Sequence, residues 1–423
     1  MSNLATNTIQ IHGAVRTTAV WIALAALVGA SMRSELAARG RSSDDALRRL
    51  MKEQAVAATH SYTFANDLPV LRDLYVAPTL SVPPRAGDAG SRIGVLCTLA
   101  ADRHVVLVGD PGSGKSTVVN ALTSESTNAV LKNDRDWFIK AKVAPFAPIA
   151  LPATELVGRT IESALVNACA QQFQTDARNL FGDPPPGYTA WLVLLDGLDE
   201  IVNPGDRSRV LERLNNLLST PYGPYRLLIT TRALPAGEMA KLRVPGVARY
   251  EVPPFKDSQV EEYATKWFRA SNTNSPEAAQ EKCRRFLIKA TEGALPRMMR
   301  SPLLLSIAAA VFEKEDESRL PTSRFLLYEK YLAHLLGGRG QRTVTLEPLL
   351  RALRSHGERG AELAAWFEQK IDERFPILLN HLGDTRMKDP HADLLAEARQ
   401  WLRADAPHDL LDVVALAGVS PFS

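Results

Sequence analysis

The chain has 423 residues, 45% of them hydrophobic and 23% charged, enough apolar material for two to four folded domains and too much for a disordered polymer. Lys and Arg number 50 against 47 Asp and Glu, a formal charge of +3 that argues against a dedicated nucleic-acid binder. The three cysteines, Cys97, Cys169 and Cys283, match neither a zinc spacing nor a disulfide framework and are expected as buried thiols in a reducing compartment.

Residues 1–72 are expected to form an N-terminal helical segment. Within it, Thr17 to Met32 is an uncharged, Ala-rich run closed by Arg33. As a helix it would be about 24 Å long, short of the roughly 30 Å hydrocarbon core of a bilayer. Two readings stay open. One is a membrane anchor, favoured by Trp21 and by Arg33, Arg39, Arg41, Arg48 and Arg49 behind it; the other is the buried helix of a small N-terminal domain. Ser43 to His60 reads as a helix capped by Ser42, Ser43 and Asp44, with Leu47, Leu50, Met51 and Val56 at helical spacing. Pro83-Pro84 and Gly87 to Gly90 read as a linker, and a second domain is taken to start near residue 73.

Val105 to Val108 has the pattern of a buried strand and Thr117 to Leu122 that of a helix. Between them lies Gly109-Asp110-Pro111-Gly112-Ser113-Gly114-Lys115-Ser116, followed by Thr117, in the spacing G-x-x-x-x-G-K-S. That strand–loop–helix context marks a phosphate-binding P-loop. A polyphosphate needs converging N–H donors, and a backbone relieved of Cβ groups curls closely enough to supply them, which accounts for Gly109, Gly112 and Gly114. Lys115 would place a cation between the β- and γ-phosphates, and the Ser116 hydroxyl would ligate Mg²⁺. ATP would hold this part of the chain in the cytoplasm, at the inner face of the membrane on the anchor reading.

Phe146 to Leu151 reads as a short strand and Thr160 to Phe173 as a crossover helix with Ile161, Leu165, Ala168 and Cys169 inward. Trp191 to Glu200 is an apolar strand that ends in Asp196, Asp199 and Glu200. Ligands of parallel sheets bind beyond the carboxyl ends of the strands, so these acids should emerge beside the P-loop. Asp196 is the natural Mg²⁺ partner, and Asp199 and Glu200 are placed to polarise an attacking water. Leu227 to Arg232 is a further apolar strand, whose Arg232 would reach a γ-phosphate; Thr230 and Thr231 are less specific. Tyr250 to Phe255 closes the region as a final strand with a proline stop. Strands alternating with helices over 73–255 predict an α/β fold, a parallel sheet of P-loop NTPase type flanked by helices.

From Ser258 onward the pattern is helical, with Val260, Tyr263, Trp267 and Phe268 on one face. Residues 256–320 form one helical unit, in which Pro302 opens a helix, and 321–423 another. The latter has helices at Ser323 to Leu336 and around Leu346 to Leu353, Ala361 to Leu379, Asp393 to Leu402 and Leu410 to Ala417.

Together, Gly109 to Thr117, Leu192 to Glu200, Leu227 to Arg232, Val252 to Phe255, Ser301-Pro302-Leu303-Leu304-Leu305, Leu320-Pro321 and Leu327-Tyr328 resemble the NACHT class of STAND signalling ATPases. The resemblance implies a nucleotide-binding domain, a helical lid over 256–320 and a partial winged-helix domain over 321–423. It implies a switch that closes on ADP and opens on ATP to assemble with copies of itself. ATP or ADP with Mg²⁺ would be bound, and ATP slowly hydrolysed, by Lys115, Ser116, Asp196, Asp199, Glu200 and Arg232, with Pro302 against the adenine. Bacterial proteins of this class act in antiphage defence and animal ones as immune sensors, and the Ala- and Arg-rich composition suggests a high-GC bacterium. The family's phenylalanine-rich helix with its preceding histidine would begin about where Ser423 stands, so a C-terminal truncation is expected, with an unidentified trigger or sensor partner. Two other readings compete: a remodelling ATPase of the AAA+ type and a membrane-anchored scaffold with a structural nucleotide. A GTPase is disfavoured by the lack of an N-K-x-D motif.

Overall fold

The structure, a computed structural model, describes residues 44–58, 71–81, 92–172, 180–220, 223–271, 275–293, 295–314, 320–337 and 357–388, with single positions at 177, 351, 354, 392, 397, 398, 400 and 401. A seven-stranded sheet organises the first half. In chain order its strands are β1 (Leu80–Ser81), β2 (Arg92–Ile93), β3 (His104–Val108), β4 (Phe146–Pro152), β5 (Ala190–Asp196), β6 (Tyr225–Thr231) and β7 (Val247–Glu251). Across the sheet they run β2-β1-β7-β3-β6-β5-β4. The five from β7 to β4 are parallel, while β1 and β2 form an antiparallel edge. The fold is therefore the α/β arrangement expected of a P-loop NTPase.

The central strands are mainly apolar, because helices cover both faces, although β3 also buries His104 and β6 buries Arg226, Thr230 and Thr231. Every residue of β3 and β6 is buried. Helix α4 (Lys115–Leu131) leaves β3, packs over β4 and β5, and leads to the far edge. The chain then returns strand by strand through α6 (Ile161–Gln172) and α7 (Pro204–Leu218), which right-handed crossovers place on the other face. Register decides what gathers at the carboxyl edge. Val108 pairs with Thr231, and Leu195 with Ile229, so the ends of β3, β6 and β5 fall side by side.

The helix over 44–58, α1, supplies Leu47, Leu50 and Met51 to this same core, so the α/β unit draws on residues from before position 73; the shorter helices α2 (Leu71–Leu74), α3 (Val95–Ala101), α5 (Arg135–Ala141) and α8 (Ala236–Ala240) lie between these elements. Val56, expected on its inner face, is 52% exposed, and Gln54 takes that place at 1%. The reason is chemical: the Gln54 amide donates to Pro148 O at 3.1 Å and accepts from Ala150 N at 3.0 Å. The side chain thereby satisfies the open ladder of β4, whose outer backbone groups would otherwise face a buried surface unpaired.

A second core lies in the helices that follow: α9 (Asp257–Ser271), α10 (Pro276–Ala290), α11 (Leu295–Met299), α12 (Pro302–Lys314) and α13 (Arg324–Gly337). Phe268, Phe286 and Phe312 meet pairwise at its centre with centroids 5.4 to 5.9 Å apart. Leu74 and Val76, which precede the sheet in sequence, belong to this core.

Several expectations shift. The last strand is Val247–Glu251 rather than Tyr250 to Phe255, since Pro253 and Pro254 cannot donate to the ladder with β3. Cys97 is exposed, while Cys169 and Cys283 are buried free thiols as expected. A helix over Gly357–Lys388 contains the one expected around Ala361 to Leu379. The run 17–32, the linker at 83–90 and the helix expected around 410–417 lie outside the described residues, as do most of 346–353 and most of 393–402. Among the described residues no helix is long and apolar enough to cross a membrane.

Candidate functional site

The loop after β3 closes with Gly112 at φ +72° and Gly114 at φ +87°, left-handed conformations open to glycine at little strain. Helix α4 starts at Lys115, and its first intrahelical-type bond runs from Val118 N to Gly114 O at 2.9 Å. The amides ahead of Val118 are the partnerless donors of a helix N-terminus, aimed with the positive end of the helix dipole at one spot. Lys115 folds back under the loop, donating to Gly109 O at 2.8 Å and Asp110 O at 3.0 Å. An ammonium has three hydrogens, so one donor remains. The Ser113 hydroxyl is buried with no hydrogen-bond partner among the described residues.

Across the carboxyl edge, each acid has different company. The Thr230 hydroxyl donates to Asp196 Oδ1 and accepts the Gly197 amide at 3.0 Å. Asp199 meets Arg232 twice: Oδ1 accepts the main-chain N–H at 2.9 Å, and Oδ2 forms an ion pair with Nε, also at 2.9 Å. Gly197 sits at φ +73°, and a Cβ there would come within 2.7 Å of Glu200 Cδ, so the turn that places Glu200 depends on glycine. Burial, and then the charges of Asp196 and Asp199, hold the Glu200 carboxyl above its ordinary range. Burial lowers Lys115, with Asp199 and Asp196 opposing and Arg232 adding to the shift. These mutual influences place the cations and acids within electrostatic reach of one another.

Pro111 to Thr117, Asp196, Asp199, Glu200, Thr230, Arg232 and Pro302 line one cavity of about 260 Å³. The carbonyls of Gly109 and Asp110 anchor Lys115 beneath it. The apolar part of its lining comes from Leu74, Tyr75, Val76, Phe255 and Leu303. The second core thus lids the carboxyl edge of the sheet. Leu303 N donates to Gly112 O at 3.2 Å, and Pro302 Cγ lies 3.8 Å from where a Gly114 Cβ would stand.

Residues 103–271 match the family model of the NACHT domain, from the residue before β3 to the end of α9. The chain carries a NACHT domain. Such domains are nucleotide-binding NTPases of the STAND class, and Mg²⁺ usually accompanies the nucleotide. The donor set fits both. Convergent amides, a buried hydroxyl without a partner and an ammonium suit phosphate, while one carboxylate and the Ser116 hydroxyl suit an octahedral Mg²⁺ completed by phosphate and water. Among the described residues no cluster of three His, Cys, Asp or Glu side chains could hold a metal by itself. The NACHT match stops short of α12, so Pro302 and Leu303 enter the site from outside it, as do Leu74 to Val76 from ahead of it. No curated protein matches the chain.

Two contributors escaped sequence reasoning. Thr230 is fully buried at a strand end, and its role shows only through the β5–β6 register. Leu74 to Val76 lie far from the P-loop in sequence and reach the cavity by packing with α9. The signal available for them was an apolar Leu-Tyr-Val next to a proline, which is common in linkers.

Proposed function

We propose that the chain is a nucleotide-operated switch that binds ATP and hydrolyses it slowly, its NACHT domain alternating between arrangements set by the presence of a γ-phosphate. The observation that carries the reading is the joint lining of one cavity by P-loop, acids, Arg232 and lid, with α12 bonded directly to Gly112. Differential affinity for two lid arrangements is what a ligand needs in order to shift their populations.

In this reading the loop amides and Lys115 bind and orient the phosphates. Ser116 and Asp196 would hold Mg²⁺, which when bound neutralises charge developing on the phosphate oxygens. Thr230 keeps Asp196 turned for that task. Glu200 takes the proton of the attacking water, and its raised pKa brings it nearer the pH at which a base works best. Pro302, Leu303 and the Leu74 to Val76 segment offer the apolar walls for an adenine ring. The roles in defence or stress signalling, and in nucleotide-dependent assembly with copies of the same chain, follow the resemblance to STAND proteins. ATP supply assigns the domain to the cytoplasm.

Light scattering separates a switch from a scaffold. Mass should increase with a slowly hydrolysed ATP analogue and Mg²⁺ but not with ADP, and Lys115→Ala should abolish the difference. Identical mass in all conditions would remove the assembly step, and unchanged assembly by Lys115→Ala would favour a structural nucleotide. Rapid steady turnover dependent on an arginine supplied by a neighbouring copy would favour the remodelling ATPase.

A further inference from the structure

Three carboxylates at one strand end invite the view that two of them act on water. The contacts of Asp199 argue otherwise. Asp199 lies in the short 3-10 turn Leu198–Glu200, and both its oxygens are engaged by one residue of the neighbouring strand end, Arg232. The contact uses Nε and the main-chain N, and the two terminal guanidinium nitrogens make no hydrogen bond among the described residues. The carboxylate side chain is 13% exposed and the arginine 55%.

An ion pair whose cation is half in water adds little to stability. It does remove freedom from a long side chain at the place where that side chain meets the cavity. With one oxygen on the main-chain N–H and the other on the guanidinium, Asp199 has both carboxylate oxygens turned to Arg232. Among the described residues Glu200 makes no such ion pair, and burial, then Asp196 and Asp199, hold its carboxyl above the ordinary range.

We propose that Asp199 is a positioning residue that holds Arg232 by Nε and main chain, leaving the terminal nitrogens to read the third phosphate of a nucleoside triphosphate, and that Glu200 alone serves as base. The proposal rests on the nucleotide-switch reading. It assigns Asp199 to the discrimination of triphosphate from diphosphate, a property separate from hydrolysis.

The test is equilibrium titration of the full chain with Mg²⁺-ATP and Mg²⁺-ADP, with single-turnover hydrolysis alongside. Asp199→Asn should lower the preference for ATP over ADP, relative to wild type, by about tenfold, the loss expected when a charge-assisted contact is no longer aimed. Arg232→Ala should do the same, and the double variant should be no worse than Arg232→Ala alone, since residues acting as one unit are not additive. Arg232→Lys keeps the cation but lacks Nε and should show the same drop, which covers the case of an Asp199 variant that fails to fold. Glu200→Gln should keep the wild-type preference and lose hydrolysis. An Asp199→Asn variant with intact ATP preference and hydrolysis as slow as Glu200→Gln would overturn the assignment, as would additive effects in the double variant. Failure of the wild-type chain to bind either nucleotide would instead overturn the switch reading on which the assignment rests.

Discussion

The amide of Leu303, second residue of α12, donates to the carbonyl of Gly112 in the P-loop at 3.2 Å. A lid residue thus touches the backbone that cradles phosphate, with no side chain between them. A Cβ on Gly112 would stand 2.8 Å from Leu303 Cβ, and its φ of +72° is already unfavourable for any other residue. Gly112→Ala should therefore cost about 1–3 kcal/mol locally and loosen both loop and lid. The expected outcome is nucleotide affinity at least about tenfold weaker, that energy read as binding, and faster limited proteolysis between the sheet and α9. Unchanged affinity and cleavage would show that the contact transmits nothing.

Glu200→Gln should retain nucleotide binding while hydrolysis falls by about 10²–10⁴. The pH profile carries a further signature. Because burial and two neighbouring acids raise the Glu200 pKa, the active carboxylate form is lost on acidification earlier than for an ordinary glutamate. Hydrolysis should rise with pH through that raised value, and the acid limb should vanish in the residual activity of Glu200→Gln. An acid limb placed in the ordinary carboxylate range would point to a different base.

Much of the fold was legible because its elements are periodic and its motif is spaced by chemistry. The apolar runs at Val105 to Val108 and Trp191 to Leu195 could only be buried strands, and the glycines and Lys115 between strand and helix named the phosphate loop. What stayed hidden depends on pairing rather than pattern. Thr230 orients Asp196 only because β6 lies beside β5 in that register. Gln54 looks like a solvent-facing polar residue until the open edge of β4 is set beside it. The two-residue strands β1 and β2 are too short to show alternation at all.

Gln54 offers a direct check on the edge it covers. Gln54→Leu keeps the size of the side chain but leaves Pro148 O and Ala150 N without partners, which should destabilise the α/β unit by about 2 kcal/mol. Urea unfolding followed by tryptophan fluorescence would register the loss. A midpoint equal to wild type would mean that water or backbone movement compensates.

His104, at the start of β3, should make stability depend on pH. Its Nδ1 accepts the Leu227 amide at 3.2 Å, so the proton sits on Nε2, a buried atom without a partner among the described residues. Burial, then Arg103 and Arg226, lower its pKa from 6.5 to about 4. With the folded pKa below the unfolded one, the unfolded chain binds more protons between those values, and stability is lost as pH falls from about 6.5 toward 4. The contribution lost is roughly 3 kcal/mol. His104→Asn supplies an acceptor that does not titrate, and its unfolding free energy should decline less steeply over that window. Equal slopes for the two proteins would exclude His104 as the source.

The central claim is spatial: loop amides, Lys115, Ser116 and the acids of β5 serve one magnesium-bound nucleotide. Isothermal titration of the folded chain with ATP and Mg²⁺ tests it most directly, comparing wild type with Lys115→Ala. One ATP per wild-type chain and no measurable binding by the variant are expected, with both proteins equally folded by circular dichroism. Equal affinity in the two, or a folded wild-type chain that takes up no ATP, would contradict it.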